Sequence, residues 1–293
     1  IVPILYRPFD VRYTYYTGRS RGFHCRPRSE VMNHMTNINN FALIVPKRVE
    51  QIGPWRHSFV TKNITDHVCV SLKTIDYHFP ILLDNKLKPQ DLFSALEVTP
   101  NNFNISSALI EKFKENINFD VDPMEVFQYI YAILHSMRFR EKYEGFLIKD
   151  FPRIPFSKNP DLFTKFSVFG FRLIKLHSLE QSEIDTPKCQ FEGKGINLVE
   201  SGAAGLRFDL ERQRVYINAD QYFAPVPPEV WQYQIGGYQV CDKWLKDRRG
   251  RRLSLDEIQT YCRIVTALGK TIEIQQEIDK LYPQVEASLI DFS

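Results

Sequence analysis

The sequence has few cysteines and none of the long apolar runs that mark a membrane segment. Its five cysteines show neither a CxxC pair nor zinc spacing with histidine, and they are Cys25, Cys69, Cys189, Cys241 and Cys262. Reduced thiols in a cytoplasmic protein are the simplest interpretation of so sparse a set. No apolar run approaches the roughly 20 residues that span a bilayer, and no signal-peptide pattern is present. We therefore expect a cytoplasmic protein without a membrane partner.

Catalytic signatures are missing as well. The chain contains no G-x-x-x-x-G-K-[ST] phosphate loop, which argues against a resident ATPase, and no G-x-S-x-G nucleophile elbow. It also lacks the N/D/S-P-P-Y/F tetrapeptide that holds a flipped adenine, because "VPPE" (226–229) has neither the polar first residue nor the aromatic last one. We expect no catalytic residue, no bound cofactor and no metal in this chain alone.

Two short patterns leave a catalytic alternative open. "FEGKG" (191–195) has the F-x-G-x-G spacing of methyl-donor loops, but no buried strand precedes it and no helix follows, which favours a glycine turn. Asp185 with Glu192 and Lys194 loosely fits the acid plus E-x-K arrangement of magnesium nucleases, where two carboxylates hold the metal and a lysine assists the attacking water. A self-contained magnesium-dependent nuclease is therefore the alternative hypothesis.

What the chain does have is charge sorted by segment. It has 293 residues, of which 25% are charged, and a net charge of only +3, so the protein as a whole is not a polycation. Two stretches nevertheless concentrate Arg and Lys, which suits the neutralisation of DNA phosphates and the reading of base edges. The candidate DNA-binding residues are Arg19, Arg21, Arg26 and Arg28 in the first stretch, and Lys243, Lys246, Arg248, Arg249, Arg251 and Arg252 in the second. A solvated loop and a charged helix connector are the structural alternatives.

Residue periodicity predicts a mixed α+β fold in two lobes. The first lobe (1–180) is strand-rich and then helical, and the smaller second lobe (181–293) ends in a long helix; the polar stretch 182–195 is the candidate boundary. β-Branched and aromatic runs predict strands at 11–16, 41–45, 58–62, 67–72 and 78–83, with a meander after residue 195. Capping and spacing predict helices at 89–97, 123–143, 160–178 and from Ser254 to about Tyr282.

The spacing of the aromatic residues predicts which of them are buried and which are exposed. Tyr13, Tyr15 and Tyr16 alternate along a predicted strand, which is typical of core residues. Trp55, Tyr233 and Tyr238 lie among loop residues and are expected to be exposed. The run "RPFD" also suggests an ion pair between Arg7 and Asp10. The chain starts without Met inside the strand-like "IVPILY", so we expect a piece of a longer polypeptide.

Several segments together resemble a known family. The matches occur in the family's order: "LYRPFDVRYTYY" (5–16), "QYIYAILHSMRFREKYEGFLIKDFPRIPF" (128–156), "LFTKFSVFGFRLIKLH" (162–177), "YQIGGYQVCDKWLKDRRGRRLS" (233–254) and "YCRIVTALGKTIEIQQEID" (261–279). They resemble the C-terminal target-recognition region of adenine-specific DNA methyltransferases of the single-polypeptide restriction–modification type, called type ISP, with relatives among type IIG enzymes.

The resemblance implies a function for the chain within a larger enzyme. It implies sequence-specific recognition of double-stranded DNA, with the methyltransferase module of the same polypeptide as a second partner. The parent would transfer a methyl group from S-adenosylmethionine to adenine N6, and this chain would hold and read the duplex. A further alternative is an interaction scaffold, in which the acidic C-terminal helix (254–293) docks on the parent's other modules.

Overall fold

The structure, a computed structural model, describes residues 1–36, 39–50, 53–84, 102–117, 120–180, 182–202 and 205–292. The predicted mixed α+β class is confirmed, with several small sheets packed on helices and a long helix near the C-terminus. The short helix predicted at 89–97 lies outside the described residues. Within the described residues, no helix is long and apolar enough to cross a membrane.

The N-terminal part contains two small three-stranded sheets. Its elements are β1 (Val2–Arg7), β2 (Asp10–Thr14), α1 (Ser29–Thr36), β3 (Ala42–Pro46), β4 (Phe59–Thr61), β5 (Ile64–Thr65) and β6 (Asp76–Pro80). One sheet has the order β2-β1-β5, with β2 antiparallel and β5 parallel to β1, and the other has the antiparallel order β4-β3-β6. The chain turns between β1 and β2 through Phe9, whose φ is 64°. This turn brings Arg7 and Asp10 opposite each other in the ladder.

The strand predicted at 67–72 is wrong. Its backbone instead meets a turn from the far end of the chain, where the Gly237 N–H donates to the carbonyl of Val70 at 2.9 Å and the Tyr238 hydroxyl donates to the carbonyl of Val68 at 3.3 Å. The Val70 N–H donates to the carboxylate of Asp76 at 2.8 Å. Because these partners satisfy the backbone, the segment is a turn with a buried middle rather than a strand.

Helices form the middle of the chain. They are α2 (Ser107–Ile117), α3 (Pro123–His135), α4 (Met137–Lys142), α5 (Glu144–Leu147) and α6 (Pro160–His177). Asp122 caps α3 and forms a capping box with Glu125, and Pro123 stands in the first turn. The helix predicted over 123–143 is broken at Ser136, whose hydroxyl accepts from the Phe139 N–H and donates to Asp279 at 2.7 Å. Helix α6 packs tightly on α3, because a Cβ at Gly170 would lie 1.8 Å from the carbonyl oxygen of Gln128.

The C-terminal part combines an antiparallel sheet with the long helix. Its elements are β7 (Gln190–Glu192), β8 (Arg207–Asp209), β9 (Arg214–Tyr216), β10 (Tyr222–Ala224), α7 (Pro228–Trp231), β11 (Gln234–Ile235), β12 (Tyr238–Gln239), α8 (Val240–Lys246) and α9 (Leu255–Glu286). The sheet has the order β7-β10-β9-β8, which confirms two strands of the predicted meander. A further strand predicted in that meander, "INLVE" (196–200), contributes only a bridge from Leu198 to Arg252.

One apolar core continues through both parts of the chain. The buried cluster runs from Leu5 to Ile290, and its aromatic pairs include Phe223 with Tyr261, whose ring centroids lie 4.3 Å apart. Helix α9 crosses this core over about 48 Å, at 1.5 Å per residue for 32 residues. The boundary between two lobes at 180/181 stays a prediction, and the core is shared across it.

Candidate nucleic-acid interface

The first basic stretch forms an exposed loop, which we call the N-terminal basic loop (residues 17–28). It follows β2 and leads into α1. Its candidate DNA-binding arginines are all exposed: Arg19, Arg21, Arg26 and Arg28. Only Arg28 among them has an ion pair in the described part of the chain, a 3.6 Å contact with Glu30 in which both side chains are about two-thirds exposed. Such a pair is weak in water, so the loop keeps nearly all its positive charge for a partner.

The base of this loop is anchored. The Tyr16 hydroxyl donates to the carbonyl of Pro27 at 3.1 Å, and the Thr14 hydroxyl lies 2.9 Å from Nε2 of His24. The tip then turns through Gly18 and Arg21, which both have φ values near 65°. A loop fixed at its base, with slim or left-handed residues at its tip, can present arginines close to a nucleic-acid groove.

The predictions of aromatic burial and exposure are wrong for four residues. Tyr13 and Tyr15 are 78% and 59% exposed, whereas Trp55 is 1% and Tyr238 is 6% exposed. Phe23, which the sequence did not single out, is 73% exposed within the loop itself. The alternation did not predict this exposure, because β2 is buried only at its first residue, Asp10, and Val11, Arg12 and Tyr13 are all exposed. Basic and aromatic side chains therefore share one surface here.

The second basic stretch, which we call the C-terminal basic segment (residues 243–252), is largely neutralised by acids. Lys243 pairs with Asp247 and Lys246 pairs with Asp242, both one turn apart along α8 and both at 2.5 Å. Arg251 pairs with the carboxylate of Glu257 at 2.6 Å. The two remaining exposed arginines, for which the described residues provide no ion pair, are Arg249 and Arg252.

Arg248 is buried and does not face solvent. Its guanidinium donates to Asp10 at 2.9 Å, to Glu257 at 3.0 Å and to the carbonyl of Trp244 at 2.9 Å. It also lies 3.3 Å from the centre of the Trp244 ring. Direct contact between Arg248 and DNA stays an untested prediction, but this position favours a structural role.

Asp10 connects the two basic stretches. It is 1% exposed, and its second oxygen accepts from Arg12 at 2.8 Å while the first accepts from Arg248. The start of β2, the strand that precedes the N-terminal basic loop, is thereby tied to the C-terminal basic segment. The expected pair between Arg7 and Asp10 is wrong, because Arg7 instead pairs with Asp66 at 3.0 Å. No local pattern indicates that Asp10 joins the two stretches, because its partner Arg248 is 238 residues away.

The start of α9 is already occupied by protein groups. The capping box predicted at Ser254 is confirmed, with the Glu257 N–H donating to the Ser254 hydroxyl and the Ser254 N–H donating to the Glu257 carboxylate. Burial raises the pKa of Glu257, but this N–H and the guanidiniums of Arg251 and Arg248 together lower the pKa below its ordinary value. The negative charge of Glu257 therefore lies at the N-terminus of α9, where free N–H groups would otherwise favour a phosphate.

Neither catalytic pattern forms a recognisable site. Strand β7 is an edge strand of an antiparallel sheet, and a Cβ at Gly193 would lie 2.1 Å from the carbonyl of Asp220, so "FEGKG" is not a strand-to-helix turn for a methyl donor. Asp185 pairs with Arg263 at 3.1 Å, and Glu192 accepts from the Tyr222 hydroxyl at 2.7 Å. Lys194 lines an open cleft of about 680 Å³. Across the described ranges, no group of three His, Cys, Asp or Glu side chains could hold a metal ion.

The long C-terminal helix is part of the core. Helix α9 buries apolar and aromatic side chains along its whole length, from Ile258 near its start to Val285 near its end. Deleting 254–293 would therefore remove core residues, and loss of assembly after that deletion would not distinguish a scaffold from a recognition module.

Comparisons with known proteins agree with this architecture. The family profile described as the type ISP C-terminal specificity domain matches residues 1–277. No curated protein is similar enough in sequence to count as a relative. Among solved structures, the chain resembles part of DrdV in a DrdV–DNA complex, with a TM-score of 0.73, 19% identity and coverage of 94% of this chain and 28% of that one.

Two further solved structures show the same fold. The ATP-dependent type ISP restriction–modification enzyme LlaBIII, bound to DNA, gives a TM-score of 0.67 at 14% identity, with coverage of 94% of this chain and 18% of that one. A nuclease-deletion mutant of the type ISP enzyme LlaGI, in complex with a DNA substrate mimic, gives 0.64 at 16% identity, with coverage of 94% and 20%. The chain thus spans less than a third of these enzymes. Because the family profile covers nearly all of its residues, the chain belongs to the type ISP C-terminal specificity domain family.

Proposed function

We propose that this chain is the module that recognises a specific double-stranded DNA sequence for a restriction–modification enzyme. The observation that carries the proposal is the N-terminal basic loop, where four exposed arginines project from an anchored base. Membership of a specificity-domain family supports it, as do the DNA-bound states of the three similar enzymes. Arginine suits this role because its planar guanidinium bonds both phosphate oxygens and the O6 and N7 atoms of guanine.

The two basic stretches take different parts in this function. The N-terminal basic loop enters a groove and supplies the base contacts, together with phosphate contacts from arginines away from its tip. In the C-terminal basic segment, Arg249 and Arg252 contact phosphates, while Lys243, Lys246 and Arg251 contribute less because acids already hold their charges. Arg248 positions the two stretches through Asp10 and makes no DNA contact of its own.

The chemical step belongs to the rest of the enzyme. We propose that the parent methylates adenine N6 in the cytoplasm and that its methyltransferase module binds S-adenosylmethionine and docks beside this chain. The loop "FEGKG" lacks the strand-to-helix geometry that a methyl donor needs, so the donor would be bound outside the described residues of this chain. The share of this chain is to hold the duplex and to fix which base reaches the catalytic module.

The test is duplex binding as a function of salt. Arg19, Arg21, Arg26 and Arg28 are replaced together by alanine, and affinity for a duplex containing the parent's target site is measured between low and moderate salt. We expect weaker binding, and a slope of log K against log salt that is shallower by up to about 3.6, because each lost phosphate contact removes about 0.9.

A matched control removes four other cations. Arg138, Lys142, Lys158 and Lys280 lie near the C-terminal end of α9, about 40 Å along the helix from its start, and are exposed. Their replacement by alanine changes net charge by the same amount but should leave the salt slope nearly unchanged. Equal losses in the two variants would mean that overall charge, and not the N-terminal basic loop, provides the affinity.

A further inference from the structure

A further positively charged feature lies away from both basic stretches. A cleft of about 560 Å³ opens between α4, the β11–β12 hairpin and the middle of α9. Gln275, which lines it, is about 30 Å along α9 from the start of that helix. Two guanidiniums, Arg56 and Arg140, line the cleft together with four glutamines, whereas its single carboxylate is that of the exposed Glu229. The ionised lining therefore has one net positive charge.

Arg140 is a buried cation without a carboxylate partner. It is 5% exposed, and its Nε donates to the carbonyl of Leu134 at 2.6 Å while one Nη donates to the hydroxyl of Ser58 at 3.3 Å. The other Nη faces the thioether of Met137, at 3.9 Å, which is a weak acceptor. In the described part of the chain, no carboxylate lies within ion-pair distance of this guanidinium. A buried charge in this condition is unfavourable unless an anion compensates it.

Arg56 adds a second guanidinium to the same cleft. Its backbone carbonyl accepts from the Gly236 N–H at 2.7 Å, which ties it to the β11–β12 hairpin. One Nη reaches the side-chain oxygen of Gln234 at 3.4 Å, and its buried Nε finds no hydrogen-bond partner among the described residues. Burial, and to a smaller extent the positive charge of Arg56, lower the pKa of the Arg140 guanidinium below its ordinary value. Both features indicate that an anion belongs between them.

We propose that this cleft binds the phosphate group of a nucleotide, with Arg56 and Arg140 as its ligands. Guanidinium forks match the oxygen geometry of phosphate. The volume exceeds that of phosphate alone. The exposed side-chain amides of Gln232 and Gln234 can bond a sugar or a base, whereas those of Gln239 and Gln275 already bond the protein. The source is either a free nucleotide or the backbone of bound DNA. The site shares no residue with the N-terminal basic loop and does not depend on the proposed function.

The test uses the intact chain with inorganic phosphate and with dAMP as probes, titrated by calorimetry. Because Arg140 also holds the Leu134 carbonyl, its replacement threatens the fold, so the decisive variants are Arg56→Gln and Glu229→Gln. We expect dAMP to bind more tightly than phosphate, Arg56→Gln to weaken both about tenfold, and Glu229→Gln to tighten both by removing a like charge from the rim. Failure of both probes to bind in the millimolar range, or binding that Arg56→Gln leaves unchanged, would overturn the proposal.

A second arm separates the two sources and the two proposals. The variant that lacks Arg19, Arg21, Arg26 and Arg28 should bind dAMP as the unmodified chain does. If Arg56→Gln weakens duplex binding as well as dAMP binding, the phosphate belongs to the DNA backbone. If it weakens only dAMP binding, the ligand is a free nucleotide. Either outcome supports the cleft even where the N-terminal basic loop proves unimportant for DNA.

Discussion

The two basic stretches of this chain look alike in sequence and differ in structure. Within the N-terminal basic loop, the four arginines face solvent and only Arg28 has an acid nearby. Within the C-terminal basic segment, four of six cations bond carboxylates and Arg248 lies in the core. Clustered arginine is thus one pattern with two physical uses, namely a charged surface for a partner and an internal network that fixes the chain.

The acids decide between the two uses. Asp242 precedes and Asp247 interrupts the C-terminal basic segment, each one helical turn from its lysine. Glu257 comes from the first turn of α9, and Asp10 comes from β2. The N-terminal basic loop has no such residues between its arginines. A basic stretch that includes acids one turn away should therefore be expected to pair internally, whereas one interrupted by glycine and serine keeps its charge.

Arg248→Met should have the largest effect on stability. It leaves Asp10 almost fully buried with Arg12 as its remaining partner, and removal of one member of a buried pair costs several kcal/mol. We expect the free energy of unfolding to fall by about 3 kcal/mol, measured by urea denaturation. Arg249→Met, the same change at the exposed neighbour, should stay within about 0.5 kcal/mol. Similar losses of unfolding free energy in both variants would contradict the assignment of Arg248 as an internal and Arg249 as a surface residue.

Glu257→Gln should have the next largest effect, and one that depends on pH. The pKa of Glu257 is lowered in the folded chain, so its ion pairs stabilise above its unfolded value of about 4.5 and the stabilisation is lost as pH falls through the folded pKa. At pH 7 the variant should lose about 1–2 kcal/mol, because glutamine keeps the capping box but not the charge.

Urea denaturation between pH 7 and pH 3 checks this expectation. The difference between the unmodified chain and Glu257→Gln should shrink as pH falls below about 4.5. Glu277→Gln is the matched control, since its pair with Lys280 has both side chains more than half exposed and should contribute little at any pH. A loss at Glu257 that is constant over the whole range would assign the effect to packing instead of charge.

Local signals in the sequence predicted local structure. The caps at Asp122 and Ser254 depend on residues three positions apart, so both were visible without a fold. The break at Ser136 was not visible, because its partner Asp279 lies 143 residues further along the chain. Strand β7 was not predicted, because it lies inside a glycine-containing stretch. Its pairing partner β10 was not predicted as a strand either.

The candidate site shows the same division between local and distant information. Exposure of the N-terminal basic loop follows from its own glycine and serine. Arg248 and Arg249 are adjacent in sequence, but Arg248 is buried against Asp10 of β2, whereas Arg249 is exposed. The cleft with Arg56 and Arg140 was likewise invisible, because its lining comes from segments far apart along the chain.

Asp247→Asn should have the smallest effect on stability. It would free one cation of the C-terminal basic segment, which would then resemble the exposed arginines of the N-terminal basic loop. The change releases Lys243 and removes the more distant contact of Asp247 with Arg12, at 3.8 Å. A partly exposed pair one helical turn apart contributes little, so we expect a stability loss below about 0.5 kcal/mol. Duplex affinity should rise, and the slope of log K against log salt should steepen by up to about 0.9, since one further cation can meet a phosphate.

The control for this last variant is Asp120→Asn. Asp120 also pairs with a lysine, at 2.8 Å, namely Lys114 of α2. Helix α2 contacts Phe292 near the C-terminus and lies away from the basic stretches. Its replacement changes net charge equally and should leave the salt slope as it is. If Asp247→Asn changes duplex affinity and the salt slope no more than Asp120→Asn does, then Lys243 lies too far from the DNA to contact it. The two basic stretches would then differ in their position relative to DNA as well as in their internal ion pairs.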